Sequence, residues 1–183
     1  MKGFYNIQVF DDLFSSFQED YFYHLIFGKE EEKILPLVDF RIKYEPTAFE
    51  KDFKPISFMH VLKSNPVKSA HLENFSCIPQ VVCDKLNTKL KNILYGRIFL
   101  TIPYPTTKKH ADPHTDLSSP HWVVLYYVND SDGETVFFDS KKNIVDTVQP
   151  KKGRCVVFNG EILHAAGIPK NNPRCVVNFD III

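Results

Sequence analysis

From residue 94 to its end, this chain is cut into short apolar runs by turn signals, a pattern that leaves little room for helices. The runs are Leu94–Pro103, His121–Val128, Thr135–Asp139, Asn143–Val148, Arg154–Asn159, Ile162–Ile168 and Arg174–Ile182. Between them stand Asp132-Gly133, Pro150, Gly153, Asn159-Gly160 and Asn171-Asn172-Pro173. Glycine and asparagine reach left-handed backbone cheaply, and proline cannot donate to a ladder, so each cluster ends a strand. Seven short strands at this spacing predict a sandwich or jelly roll. The 16 Phe and 8 Tyr, against 2 Met, suit a pleated surface.

Residues 1–93 have a mixed texture. Tyr5–Phe10, Leu35–Lys43 and Phe58–Lys63 read as strands. Ser15 or Ser16 can cap a helix running to about Phe27, where Gly28 stops it. A second helix is predicted over Ile78–Ile93, with Pro79 in its first turn and Val82, Leu86, Leu90 and Ile93 on one face. The length of 183 residues suits one domain. Residues 1–93 would serve as an α/β support and lid, and 94–183 as the core. The fold class expected is α+β, mainly β, with the helices on one outer face.

The chemistry concentrates in the β half. His114-Thr115-Asp116 precedes a predicted strand, and in extended backbone residues i and i+2 point the same way. An imidazole and a carboxylate therefore converge. His164 follows fifty residues later in another predicted strand. Two histidines and one carboxylate form the facial triad of non-haem iron(II) sites, which leaves half the octahedron open. Arg174 lies ten residues beyond His164, across the turn Lys170-Asn171-Asn172-Pro173. A guanidinium there is the natural partner of a carboxylate one strand spacing from the metal. His110-Ala111-Asp112 is a rival H-x-D pair. A zincin reading of His110 and His114 fails, because Ala111 and Pro113 supply neither the glutamate nor the helix.

With these residues in place, the sequence resembles the iron(II)/2-oxoglutarate-dependent oxygenase superfamily, prolyl 4-hydroxylase-like. The pattern of H-x-D, distal His and Arg is met by His114, Asp116, His164 and Arg174, and covers residues 94–183. The resemblance implies a double-stranded β-helix (jelly roll) core. It implies that His114, Asp116 and His164 are the catalytic metal ligands. It implies that Arg174, with Tyr127 from Leu125-Tyr126-Tyr127-Val128-Asn129, holds the co-substrate carboxylate. Tyr104, ten residues before His114, is a further co-substrate contact on the same ground. The cofactors implied are Fe(II), 2-oxoglutarate and O2, with ascorbate as a supporting reductant. The reaction implied is hydroxylation of a C–H bond of a peptidyl prolyl or other amino-acid side chain, with release of succinate and CO2. Two departures stand out: Val176, where the family often has Ser or Thr, and Asp132-Gly133, where it often has a glycine pair. His110 and Asp112 would then sit on the pocket rim. Loops 43–71 and 106–119 would form the lid.

The bulk properties bound the partners. Lys plus Arg is 22 and Asp plus Glu is 22, so no basic excess points to nucleic acid. A nucleobase-directed oxygenase would typically carry a second arginine six residues after the first, where this chain has Asp180. No apolar run approaches membrane-spanning length. Asp11, Asp12 and Glu19 speak against a signal peptide, and Cys77, Cys83, Cys155 and Cys175 lack any C-x-x-C spacing. The expectation is a cytoplasmic enzyme acting on a small-molecule or peptide substrate. The alternative is a non-catalytic jelly-roll binding module. His121 is expected at a strand cap or rim, and Trp122 in the core.

Overall fold

The computed structural model describes residues 7–29, 36–42 and 56–183. Its elements in chain order are β1 (Gln8–Phe10), α1 (Ser16–Phe27), β2 (Arg41–Ile42), β3 (Ser57–Lys63), α2 (Leu72–Phe75), α3 (Cys77–Lys85), β4 (Asn92–Thr101), β5 (Trp122–Tyr127), β6 (Thr135–Phe138), β7 (Ile144–Val148), β8 (Cys155–Asn159), β9 (Leu163–Ala166) and β10 (Arg174–Ile182). Seven strands form one antiparallel sheet in the order β1-β8-β5-β10-β4-β3-β2, and three form a second in the order β7-β6-β9. The two sheets make the jelly roll. β1, β2 and β3, from the first 93 residues, complete the larger sheet rather than standing apart from it.

That sheet is buried on both faces, which is why its strands read as nearly unbroken apolar runs instead of alternating ones. In β5 the side chains still divide by period two. Val123, Leu125 and Tyr127 point inward, with Val156, Phe158 and Val176 of neighbouring strands, and meet Phe137, Val148 and Ile162 from the second sheet's side. Val124 and Tyr126 point outward, with Val157, Val177 and Phe179, against Phe14, Phe22, Phe75, Ile78 and Val82 of the helical layer. Phe22 lies at the centre of that layer, 5.5 Å from the Tyr126 ring and 5.8 Å from Phe75.

The first helix starts where serine chemistry allows. The Ser15 side chain accepts from Gln18 N, and the Gln18 side chain accepts from Ser15 N, a reciprocal capping box. Gly28, with φ 76°, closes it by donating to His24 O. The helix predicted over Ile78–Ile93, α3, is shorter than its periodicity predicts. It ends at Lys85, because Asn87 takes φ 51° and Thr88 N turns back to Cys83 O. Leu90, just before β4, and Ile93, within it, still pack on the helical core. Their apolar spacing served the core without serving a helix. Of the strand expected over Leu35–Lys43, Arg41–Ile42 is strand, while Leu35 and Lys43 lie outside the described residues, as does Tyr5. Residues 43–55 of the expected lid are likewise outside them, and Ser57–Lys63 is sheet.

The expected second lid segment is fastened along β9. Ala111 N donates to Ala166 O, Ile168 N to Lys109 O, and His114 and His164 exchange both backbone bonds at 3.0 Å. Residues 109–114 thus extend the smaller sheet past β9 by isolated bridges.

Candidate metal centre

The bridge between His114 and His164 is what brings the first two side chains together. Directly opposed residues of an antiparallel pair present side chains to the same face, and these two rings stand 5.0 Å apart. Asp116, two residues on, turns its carboxylate to the same point, with Oδ2 3.6 Å from His164 Nε2. One ligand atom from each of the three lies within 4.8 Å of the others. His114 Nδ1 faces Asp112 O at 3.0 Å, and His164 Nδ1 faces Ile162 O at 3.0 Å. A carbonyl can only accept, so Nδ1 carries a proton in each ring, and Nε2 is the nitrogen left to face a metal once its own proton is given up. That is the arrangement in which metal-binding histidines are usually held. Phe158 meets the His164 ring edge-on at 4.8 Å, backing it with apolar surface.

Electrostatics agree with that geometry. Burial alone would raise the Asp116 carboxyl, but the hydrogen bond and charge of His164, with Arg97 and His114, hold it well below the usual carboxylate range. His164 is moved the other way. Burial lowers it, and Asp116 more than offsets this. The set of two imidazole nitrogens and one carboxylate, on one side of a cavity, fits iron(II).

Arg174 lines the same cavity as His114, Asp116 and His164. It is 4% exposed, and its Nε donates to Gly133 O at 2.9 Å and its Nη2 to Thr135 Oγ1 at 2.8 Å. Those two bonds fix the plane of the guanidinium. The approach depends on two glycines. A Cβ on Gly133 would lie 2.8 Å from Gly167 O and 3.1 Å from Arg174 Cδ, and one on Gly167 would lie 2.5 Å from Glu134 O. Gly133, the second residue of Asp132-Gly133, therefore leaves the room that the Arg174 side chain occupies. Asp132 adds a latch: its carboxylate accepts from the backbone N–H of Lys170, Asn171 and Asn172, in the turn before Arg174. Gly133→Val is expected to displace Arg174. Its signature would be a rise of about tenfold or more in the 2-oxoglutarate concentration needed for binding, with Mn(II) affinity unchanged, read by titration of each.

Tyr127 is fully buried, and its hydroxyl pairs with Thr135 Oγ1 at 2.6 Å. Thr135 thus stands between Tyr127 and Arg174 and is the one of the pair that lines the cavity. Tyr104 is half-buried in the segment after β4 and is not among the lining residues; burial raises its hydroxyl. His110 meets the Phe138 ring edge-on at 5.1 Å, its Nδ1 faces Ala111 O, and it is not among the residues that line the cavity.

Sequence reading passed over a second polar group on this face. Arg97 of β4 and Asn178 of β10 are cross-strand partners, and both line the cavity. Asn178 Nδ2 donates to Asp116 Oδ2 at 3.2 Å, and Arg97 pairs with Asp180. Asp180 is wholly buried; burial first, then the Asp116 charge, pushes it up to about 7 against the pull of Arg97. His121 is buried rather than on a rim. Its Nδ1 faces Ser119 O at 2.7 Å, and one of its ring nitrogens lies within 4.8 Å of an oxygen of each of the Asp116 and Asp180 carboxylates. The available signal was the period of β10: Arg174, Asn178 and Asp180 sit at even offsets in an otherwise apolar strand. Trp122 is half-buried against the helical core.

Residues 101–179 match the family described as the 2OG-Fe(II) oxygenase superfamily. No curated protein matches the sequence. Among solved structures, a prolyl-4-hydroxylase of Pseudomonas putida is 14% identical, with a TM-score of 0.62 over 97% of this chain and 92% of that one. A Trichoplax adhaerens prolyl hydroxylase, in complex with a hypoxia inducible factor oxygen degradation domain peptide fragment, is 12% identical, with a TM-score of 0.63 over 96% and 83%. A 2OG-Fe(II) oxygenase family oxidoreductase of Burkholderia pseudomallei is 13% identical, with a TM-score of 0.71 over 96% and 84%. At these identities the likeness is one of fold. Among the described residues no helix is long and apolar enough to cross a membrane.

Proposed function

We propose that this chain is a 2OG-Fe(II) oxygenase, an oxidoreductase using iron(II), 2-oxoglutarate and O2, and that it hydroxylates a C–H bond of a peptidyl prolyl or other amino-acid side chain, releasing succinate and CO2; the family match over residues 101–179 supports this reading. The observation that carries this reading is the shared cavity, with His114, Asp116 and His164 on its wall together with Arg174.

His114, Asp116 and His164 hold the iron in this reading, and Arg174 holds the far carboxylate of 2-oxoglutarate. When bound, iron and 2-oxoglutarate supply the oxidising power that cleaves an unactivated C–H bond. What the chain adds is placement and exclusion of water. The backbone carbonyls of Asp112 and Ile162 fix the two imidazole tautomers. Thr135 and Gly133 fix the guanidinium, and Tyr127 fixes Thr135 in turn. Phe99, Leu125 and Val176 give the cavity an apolar lining between the polar groups. The fold shared with prolyl hydroxylases, one of them bound to a peptide, supports an amino-acid side chain as target.

The direct test offers a set of proline-containing peptides and free amino acids to the iron-loaded protein with 2-oxoglutarate. The expected result is a gain of one oxygen atom on a peptide, matched one-for-one by succinate. Oxygen found only on free small molecules would sink the peptidyl assignment.

A further inference from the structure

Arg97 has two buried carboxylates within reach, and it touches the one that is not a proposed ligand. Its Nη2 is in direct contact with Asp180 Oδ2, and stands 3.9 Å from Asp116 Oδ1. Asp180 is wholly buried and the Asp116 side chain is 8% exposed, so water screens neither. The guanidinium is flanked by two rings of its own strand, Tyr95 at 5.2 Å and Phe99 at 5.9 Å. Asp116 meanwhile receives a hydrogen bond from a neutral donor, the Asn178 amide, at 3.2 Å. The face thus gives the cation to Asp180 and the amide to Asp116.

That division matters for a carboxylate that has to bind a metal. A guanidinium paired with Asp116 would compete for the same lone pairs and place a positive charge against the incoming cation. We propose that Asp180 is a positioning residue that holds Arg97 off Asp116 and so keeps that carboxylate available to the metal. The proposal rests on the reading of Asp116 as a ligand.

The test uses the full chain and Mn(II) alone, with binding measured by the electron paramagnetic resonance of the free ion. Asp180→Asn keeps the shape and removes the charge, leaving Asp116 as the only carboxylate beside Arg97 among the described residues. Its Mn(II) affinity should fall by about tenfold or more. Arg97→Met combined with Asp180→Asn removes the competitor as well, and should return affinity to within about threefold of the parent. Unchanged affinity in Asp180→Asn overturns the proposal. So does a double variant as weak as the single, since the loss would then come from packing. Replacing both partners of a buried pair is often neutral for folding. If the single variant fails to fold, the double variant decides: parent-like binding supports the proposal, and weak binding overturns it. His164→Ala separates the two readings. Loss of Mn(II) there with retention in Asp180→Asn leaves the metal centre standing and overturns the role of Asp180. Retention in both overturns the centre and that role with it.

Discussion

His164→Ala should abolish turnover and the visible charge-transfer band that iron(II) and 2-oxoglutarate are expected to form together in the oxygen-free protein. The substitution deletes one of three proposed ligands, and the two that remain come from a single short segment, residues 114–116. It also leaves Asp116 buried without the imidazole that holds its carboxyl low. Metal affinity should fall by about a hundredfold or more, since the two ligands left, from one short segment, chelate poorly. A wild-type protein that shows no band with iron demonstrably present would sink the centre itself. A band that survives in His164→Ala would move the third ligand elsewhere, with His121 the nearest buried imidazole. Added imidazole offers a control, because partial return of the band would show that the missing nitrogen, and not a collapsed strand, was the cause.

Arg174→Met should act on the co-substrate and not on the metal. In the ligand-free protein, the named partners of Arg174 among the described residues are a carbonyl, a hydroxyl and an aromatic ring; none carries a full negative charge. Burial pushes its pKa down, the sign of a cation held where water cannot reach it. Truncating one partner of a buried charge pair costs about 2–5 kcal/mol in affinity. The 2-oxoglutarate needed to develop the band should therefore rise by about two orders of magnitude, with Mn(II) binding near that of the parent. The same substitution should raise the melting temperature of the ligand-free protein, because it replaces a desolvated cation with an apolar side chain of similar length. Arg174→Lys should recover little, since an ammonium cannot serve Gly133 O, Thr135 Oγ1 and a carboxylate from one plane. A variant that binds 2-oxoglutarate as well as the parent would remove Arg174 from the co-substrate site.

What could be read from the sequence was whatever depends on neighbours along the chain. β10 was delimited as Arg174–Ile182, because Pro173 and the preceding asparagines stop it at one end. The turn residues placed the other strands of this half to within a few positions, and Ser15 and Gly28 marked the ends of α1. Two limits are physical. The spacing of Leu86, Leu90 and Ile93 fits a helix face, yet Asn87 turns the backbone left-handed, and Leu90 and Ile93 reach the core from beyond the helix end. A core rewards burial and is indifferent to the backbone that delivers it. The second limit is register. The pairing of Arg97 with Asn178, and the nearness of Asp180, follow from how β4 and β10 slide past each other, which no local signal encodes. Thr135 was missed in the same way. Its role depends on β6 setting its hydroxyl between Tyr127 and Arg174.

The bridge between His114 and His164 has a consequence for folding as well as chemistry. A single ion ligated by both residues would be a clasp, closing a ring of about fifty residues that contains β5, β6, β7 and β8. On the chain-entropy relation used for covalent cross-links, a ring of that size is worth about 4 kcal/mol through restriction of the unfolded chain. The segment that carries His114 and Asp116 is otherwise sewn to β9 by a few backbone bonds. Loading the ion would convert that stitched border into a locked seam, so that the half of the molecule doing the chemistry is also the half that chelation makes slow to unravel.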